Sequence, residues 1–132
     1  MVTQLIYMSE PFGYDSAILA GILIGARRNN PAMGITGALV CRQDLYLQLI
    51  EGEAAAIDAL FERIATDDRH LNVKLLRRAT VAARMFPDWA MLDDPARSWL
   101  WSPEAVAGGA VQAASSAALQ RVFSRIAEAV DG

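Results

Sequence analysis

The chain has 132 residues, 54% of them hydrophobic, a formal charge of −3, one cysteine and one histidine. That supports one compact domain with an ordinary core and a C-terminal appendage. It argues against a nucleic-acid partner, because the twelve basic residues are scattered apart from Arg27-Arg28 and Arg77-Arg78. Cys41 alone cannot form an internal disulfide, and His70 alone offers no zinc-ligand spacing. With no signal-type leader and no run near the roughly 18 apolar residues of a membrane span, a soluble, untargeted, cytoplasmic protein is expected.

Residues 4–9, QLIYMS, alternate and end at Glu10-Pro11-Phe12-Gly13, a strand and a turn. From Asp15 or Ser16, either able to N-cap a helix, Ile18, Leu19, Ile22, Leu23 and Ala26 recur at helical spacing until Pro31 disfavours continuation through Asn30. Residues 35–42 and 45–51 are two short apolar runs split by Gln43-Asp44, hence a hairpin. Ile57, Leu60, Phe61 and Ile64 mark a second helix closed by the polar cluster 66–70, and residues 73–82 resume as a strand. A short fifth strand is expected around Trp89 to Leu92. The order gives an α+β, ferredoxin-like βαββαβ(β) sheet with both helices on one face.

Period two sorts the faces. Tyr7 and Ser9 share a side with Leu5, and Gln48 with Tyr46 and Ile50. The opposite side carries Ile6, Met8, Leu45, Leu47 and Leu49, too apolar to stay in water. After the Gly/Ala-rich SPEAVAGGA, Leu119, Val122, Phe123, Ile126 and Val130 fall on one helical stripe that can cover that side or meet a second subunit. Trp99 and Trp101 suit the edge of such a contact. The chain thus divides into 1–95, the domain, and 96–132, a linker and amphipathic helix.

Familiar chemistry is missing. His70 sits in a run of charges and reads as a solvated or capping residue, Cys41 as a small buried hydrophobe, and Gly34 and Gly37 have the wrong spacing for a phosphate loop. What stands out is polar chemistry on the core side of the sheet. A buried glutamine has donors and acceptors to satisfy, at about 1 to 3 kcal/mol when unpaired. Asn30 continues the helical stripe that faces the sheet, and Asn29 borders it. Singly these are a helix terminator, an ordinary strand tyrosine and a loop glutamine; together Tyr7, Ser9, Asn29, Asn30 and Gln48 line a site for a flat ligand rich in carbonyl and N–H groups.

The motifs now resemble a family. L-I-Y-x-S at Leu5 to Ser9, the Asn-Asn pair followed by GITGAL at Gly34 to Leu39, Q-x-x-E-G at Gln48 to Gly52, D-x-R-H at Asp67 to His70 and R-x-F-x-x-W-x-M at Arg84 to Met91 occur in the order of BLUF domains, the blue-light sensors that use FAD. The resemblance implies that Tyr7 is the photoactive donor of an electron and a proton, and that Gln48 hydrogen-bonds both that tyrosine and the flavin. It implies that Asn30, with Asn29 beside it, holds the flavin's carbonyl edge and that Ser9 supports Tyr7 and the following backbone. Arg63 and Asp67 would contact flavin polar groups and the phosphoribityl chain, with Arg69 and His70 as neighbours, and Trp89 and Met91 would pass on the signal.

Tyr7 and Asn30 stand one residue closer than in some members, which reads as a shorter loop near Pro11 to Gly13. No effector domain is visible, so the resemblance implies a non-enzymatic sensor that acts on a separate protein in trans or through a homo-oligomer. Two other readings fit the fold alone. One is a small acylphosphatase-like enzyme using Arg27 or Arg28 with an asparagine on an anion; the other is a ferredoxin-like ligand-binding or interaction module without light chemistry.

Overall fold

The computed structural model describes residues 1–11, 16–67, 70–87, 91–95 and 100–131. Asp15 as N-cap, the loop beyond Pro11, Arg69, Trp89 and Trp99 lie outside those residues, as do the side chains of Ile18, Leu19 and Val130.

In chain order the elements are β1 (Val2–Pro11), α1 (Ser16–Asn29), a 3-10 turn (Pro31–Met33), β2 (Thr36–Arg42) and β3 (Leu45–Gly52), then α2 (Ala54–Ala65), β4 (His70–Val81), β5 (Leu92–Pro95), α3 (Pro103–Ala107), α4 (Ala110–Ala113) and α5 (Ser116–Asp131). The sheet runs β4-β1-β3-β2-β5. Its first four strands are antiparallel neighbours, and β5 adds to the β2 edge in parallel. This is the ferredoxin-like α+β arrangement that the strand and helix order implies.

Both faces are covered, which explains why the residues from Thr3 to Ser9 and throughout β3 are buried without alternation. On one side Leu5, Tyr7, Leu39, Tyr46 and Ile50 pack with Leu23 of α1 and Ile57 of α2. On the other, Ile6, Met8, Leu45, Leu47 and Leu49 share a core with Leu119, Val122, Phe123 and Ile126 of α5. GITG has two separate backbone reasons. Gly34 takes φ +67°, where L side chains rarely sit, and a Cβ on Gly37 would lie 2.0 Å from the Leu49 carbonyl oxygen across the hairpin.

α1 ends at Asn29, where the sequence places the stop, although Asn30 keeps right-handed helical dihedrals of −61° and −42°. Without an N–H, Pro31 ends the α-helical bonding, yet it fits the first position of the 3-10 turn, so the chain winds on until Gly34 closes it. Two expectations need correction. β4 begins at His70, not residue 73, because pairing with Pro11 and Glu10 of β1 extends it back to the last residue of the polar cluster. β5 runs over Leu92–Pro95, later than expected, with Met91 immediately before it; its register is set by β2, where Ala38 pairs with Leu92.

Candidate functional site

Register brings the polar residues together. Tyr7 of β1 lies directly opposite Gln48 of β3, and Gln48 opposite Leu39 of β2, so the pair sits mid-sheet on the helix-covered face. The Tyr7 hydroxyl donates to Gln48 Oε1. Gln48 Nε2 donates to the sulfur of Met91 at 3.1 Å. All three side chains are buried, so each polar atom must find its partner inside the protein.

Burial, chiefly, and then the negative charge of Asp67 and the neighbouring Tyr46 push the Tyr7 phenol well above the ordinary tyrosine range. Tyr7 is thus a neutral O–H, which can donate or accept; here it donates to Gln48 Oε1 while the Gln48 NH2 points to Met91.

His70 is buried, which corrects the reading of it as a solvated or capping residue. Its Nδ1 lies 2.7 Å from Ser9 Oγ, and its ring meets those of Tyr7 (6.1 Å) and Tyr46 (5.3 Å) edge-on. Ser9 thus anchors the histidine that packs against the tyrosine, rather than bonding Tyr7 itself. The pairing joins residues 61 apart in sequence, so no local pattern could reveal it.

Between α1, α2 and the sheet lies a cavity of about 230 Å³, lined by Tyr7, Asn29, Asn30, Gln48, Arg63, Asp67 and His70 among the polar side chains and by Ile22, Ala26, Met33, Leu60 and Ile64 among the apolar ones. Asn30 is buried at the helix end, where its backbone N–H reaches the Ala26 carbonyl and its own carbonyl accepts from Met33 and Ile35. Asn29 and Arg63 are exposed at the rim, and Arg63 Nη2 also reaches the Met33 sulfur at 3.1 Å. Gly25, which sequence reasoning passed over, also lines the cavity; a Cβ placed there would meet nothing within 4 Å. A glycine in mid-helix was the available clue.

Apolar walls, an amide edge and open space in front of Gly25 fit a flat heteroaromatic group bearing carbonyl and N–H functions, which is the character of a flavin ring. The donor set fits no metal: among the described residues no cluster of three His, Cys, Asp or Glu side chains occurs. Arg27, which an anion-handling enzyme would aim into the site, has its Nε on the Met91 carbonyl at 3.2 Å.

The fold and cleft are those of a ferredoxin-like domain whose cavity suits a flat, amide-recognised ligand. Comparison with known proteins gives the family: the profile described as "BLUF: Sensors of blue-light using FAD" matches residues 2–92, and the chain belongs to that family of blue-light flavin sensors. It is 31% identical over 93 residues to photoactivated adenylate cyclase subunit alpha of Euglena gracilis, a match covering 68% of this chain and 9% of that one. The chain thus spans about a tenth of the length of such curated relatives. Among solved structures it resembles the dark state of BlrB, a BLUF protein, with 27% identity, a TM-score of 0.80 and coverage of 97% and 96% of the two chains. It also resembles Klebsiella pneumoniae BlrP1 with FMN and cyclic diGMP, with 32% identity, a TM-score of 0.67 and coverage of 72% of this chain and 26% of that one. The family module is a photosensor, not a catalytic domain.

Proposed function

We propose that residues 1–95 hold FAD in the cleft between α1 and α2 and report blue light through the line of contacts Tyr7–Gln48–Met91, with residues 96–132 passing the response to a separate cytoplasmic protein or a second copy of the chain. That line of contacts is the observation that carries the reading. Bound in the cleft, the flavin supplies a chromophore whose excited state accepts an electron and a proton from a neighbouring side chain.

Tyr7 is suited to give both. Kept neutral by burial, it has its proton already directed at an acceptor, Gln48 Oε1. A phenol that loses an electron becomes a strong acid, so the proton leaves along the existing hydrogen bond. Gln48 then has two orientations of different consequence. With Oε1 toward Tyr7, its NH2 satisfies Met91. Turned over, it presents an oxygen to the Met91 sulfur, and a thioether has no hydrogen to donate. Only one orientation therefore holds Met91, which makes the residues entering β5 a bistable element that the state of the tyrosine biases.

Asn30 and Asn29 would hold the flavin's carbonyl edge, Ile22, Ala26, Leu60 and Ile64 its faces, and Arg63 and Asp67 at the rim the phosphoribityl chain. FAD rather than FMN is the reading favoured by the family description. Purified chain supplied with FAD should be yellow, its flavin band should move to the red under blue light, and the shift should relax in the dark. A colourless preparation that takes up no added FAD overturns the proposal; chromatography of the released flavin decides between FAD and FMN.

A further inference from the structure

Glu51 is a fully buried carboxylate on the sheet face covered by the tail, three residues beyond Gln48 and on the opposite side, and the flavin chemistry gives it no task. A charge there is tolerable only if its oxygens are saturated. Gln4 Nε2 donates at 3.1 Å, the Met85 N–H at 2.8 and 2.9 Å to the two oxygens, and the Phe86 N–H at 2.8 Å. Arg77 supplies positive charge one step removed, donating to Gln4 Oε1 at 2.6 Å.

Arg84 fastens the same stretch from its other end, with Nη2 on the Gly34 carbonyl at 2.6 Å and Nη1 on Thr36 Oγ1 at 2.9 Å. Phe86 then seats its ring against Phe123 of α5 at 6.4 Å. Five residues later the chain must deliver Met91 to Gln48, and five residues reach at most about 17 Å. Where residues 84–86 are held therefore limits where the Met91 sulfur can lie.

We propose that Glu51 is a positioning residue of the photocycle: its carboxylate holds residues 85 and 86 as the fixed end of the segment that brings Met91 to Gln48. This rests on the Tyr7–Gln48 reading and deepens it. Glu51 does not touch the flavin cleft; it acts by keeping Met91 within reach, so that the Gln48–Met91 contact re-forms readily in the dark.

The test compares wild type, Glu51→Gln, Met91→Leu and the double variant, each as the full chain loaded with FAD, by dark recovery of the red-shifted band and by thermal midpoint. Glutamine keeps the shape but sets an NH2 against backbone donors. Glu51→Gln should still bind FAD and shift to the red, yet recover about threefold or more slowly, and the factor should fall toward one in the Met91→Leu background, as for residues sharing one contact network. Wild-type recovery in a folded Glu51→Gln protein overturns the assignment, even if the midpoint falls, and so does an equal factor in both backgrounds. Should Glu51→Gln not fold, Arg84→Gln frees the same stretch from its other anchor and must show the same dependence on Met91. A wild-type chain that never shifts overturns the photocycle reading itself, whereas a wild type that shifts beside an unaltered Glu51→Gln overturns only the role of Glu51.

Discussion

Gly25 offers a test in which two observables move in opposite directions. It stands in the interior of α1, where glycine costs roughly 0.5–1 kcal/mol relative to alanine. Its φ is not in the left-handed region, and a Cβ would meet nothing within 4 Å, so no contact of the protein demands it. What lies in front of it is the cavity. Gly25→Leu should therefore stabilise the flavin-free protein by up to about 1 kcal/mol, since leucine nearly matches alanine in helix propensity. For a domain of this size that is roughly 3–5 °C in thermal midpoint.

The same side chain would occupy space that the flavin needs. Overfilling a packed site costs typically about 1–3 kcal/mol, so FAD affinity should fall by a factor of about 5 to 150. Thermal unfolding of the flavin-free variant by circular dichroism reads the first effect, and titration with FAD followed by flavin fluorescence reads the second. Gly25→Ala separates them: it should keep the helix gain and lose less affinity. A Gly25→Leu protein that binds FAD as wild type does would show that the flavin lies elsewhere. A less stable flavin-free variant would show that the space beside Gly25 is not open.

Other substitutions probe the line from Tyr7 to the tail. Tyr7→Phe should retain flavin and lose the red shift, while leaving Gln48 Oε1 short of a donor at about 1–3 kcal/mol, read by urea unfolding; a normal photocycle would reject Tyr7 as donor. Because burial raises the Tyr7 phenol, the unfolded chain releases that proton first as pH rises past about 10, and the folded state does not follow. Folding stability should then decline with rising pH in wild type, and less steeply in Tyr7→Phe. Gln48→Leu should abolish or strongly alter the red shift; an unaltered one means that another residue relays the change. Phe123→Ala removes a fully buried ring that meets Phe86, and should cost about 3–5 kcal/mol in urea unfolding if α5 is part of the core.

The fold was legible because its periodicities are strong and local. Period two groups Tyr7 with Ser9 and Gln48 with Tyr46 within their own strands, and the antiparallel register of β1 and β3 puts the two groups side by side on one face. The apolar reverse face announced a cover, and α5 carries the matching stripe. What local pattern could not supply was distant partnership. His70 looked solvated because its neighbours in sequence are charged, whereas Ser9 and the two tyrosine rings that enclose it come from β1 and β3. The start of β4 was misplaced for the same reason, since its first residues are strand only by pairing with Glu10 and Pro11.

Glu51 marks the limit of the motif as a guide. It belongs to the pattern Q-x-x-E-G at Gln48 to Gly52, but period two sends Gln48 and Glu51 to opposite faces, and of the two Gln48 lines the cleft. A strand of buried residues that carries an amide toward the cleft and a carboxylate toward the tail side links the two faces through one backbone. On the proposed reading, displacing Gln48 alone leaves the grip on residues 85 and 86 intact, so the change is expected downstream, at Met91 and β5. A response confined to the cleft would require apolar packing alone to keep the Met91 sulfur in place, because the tie to Arg27 holds the carbonyl.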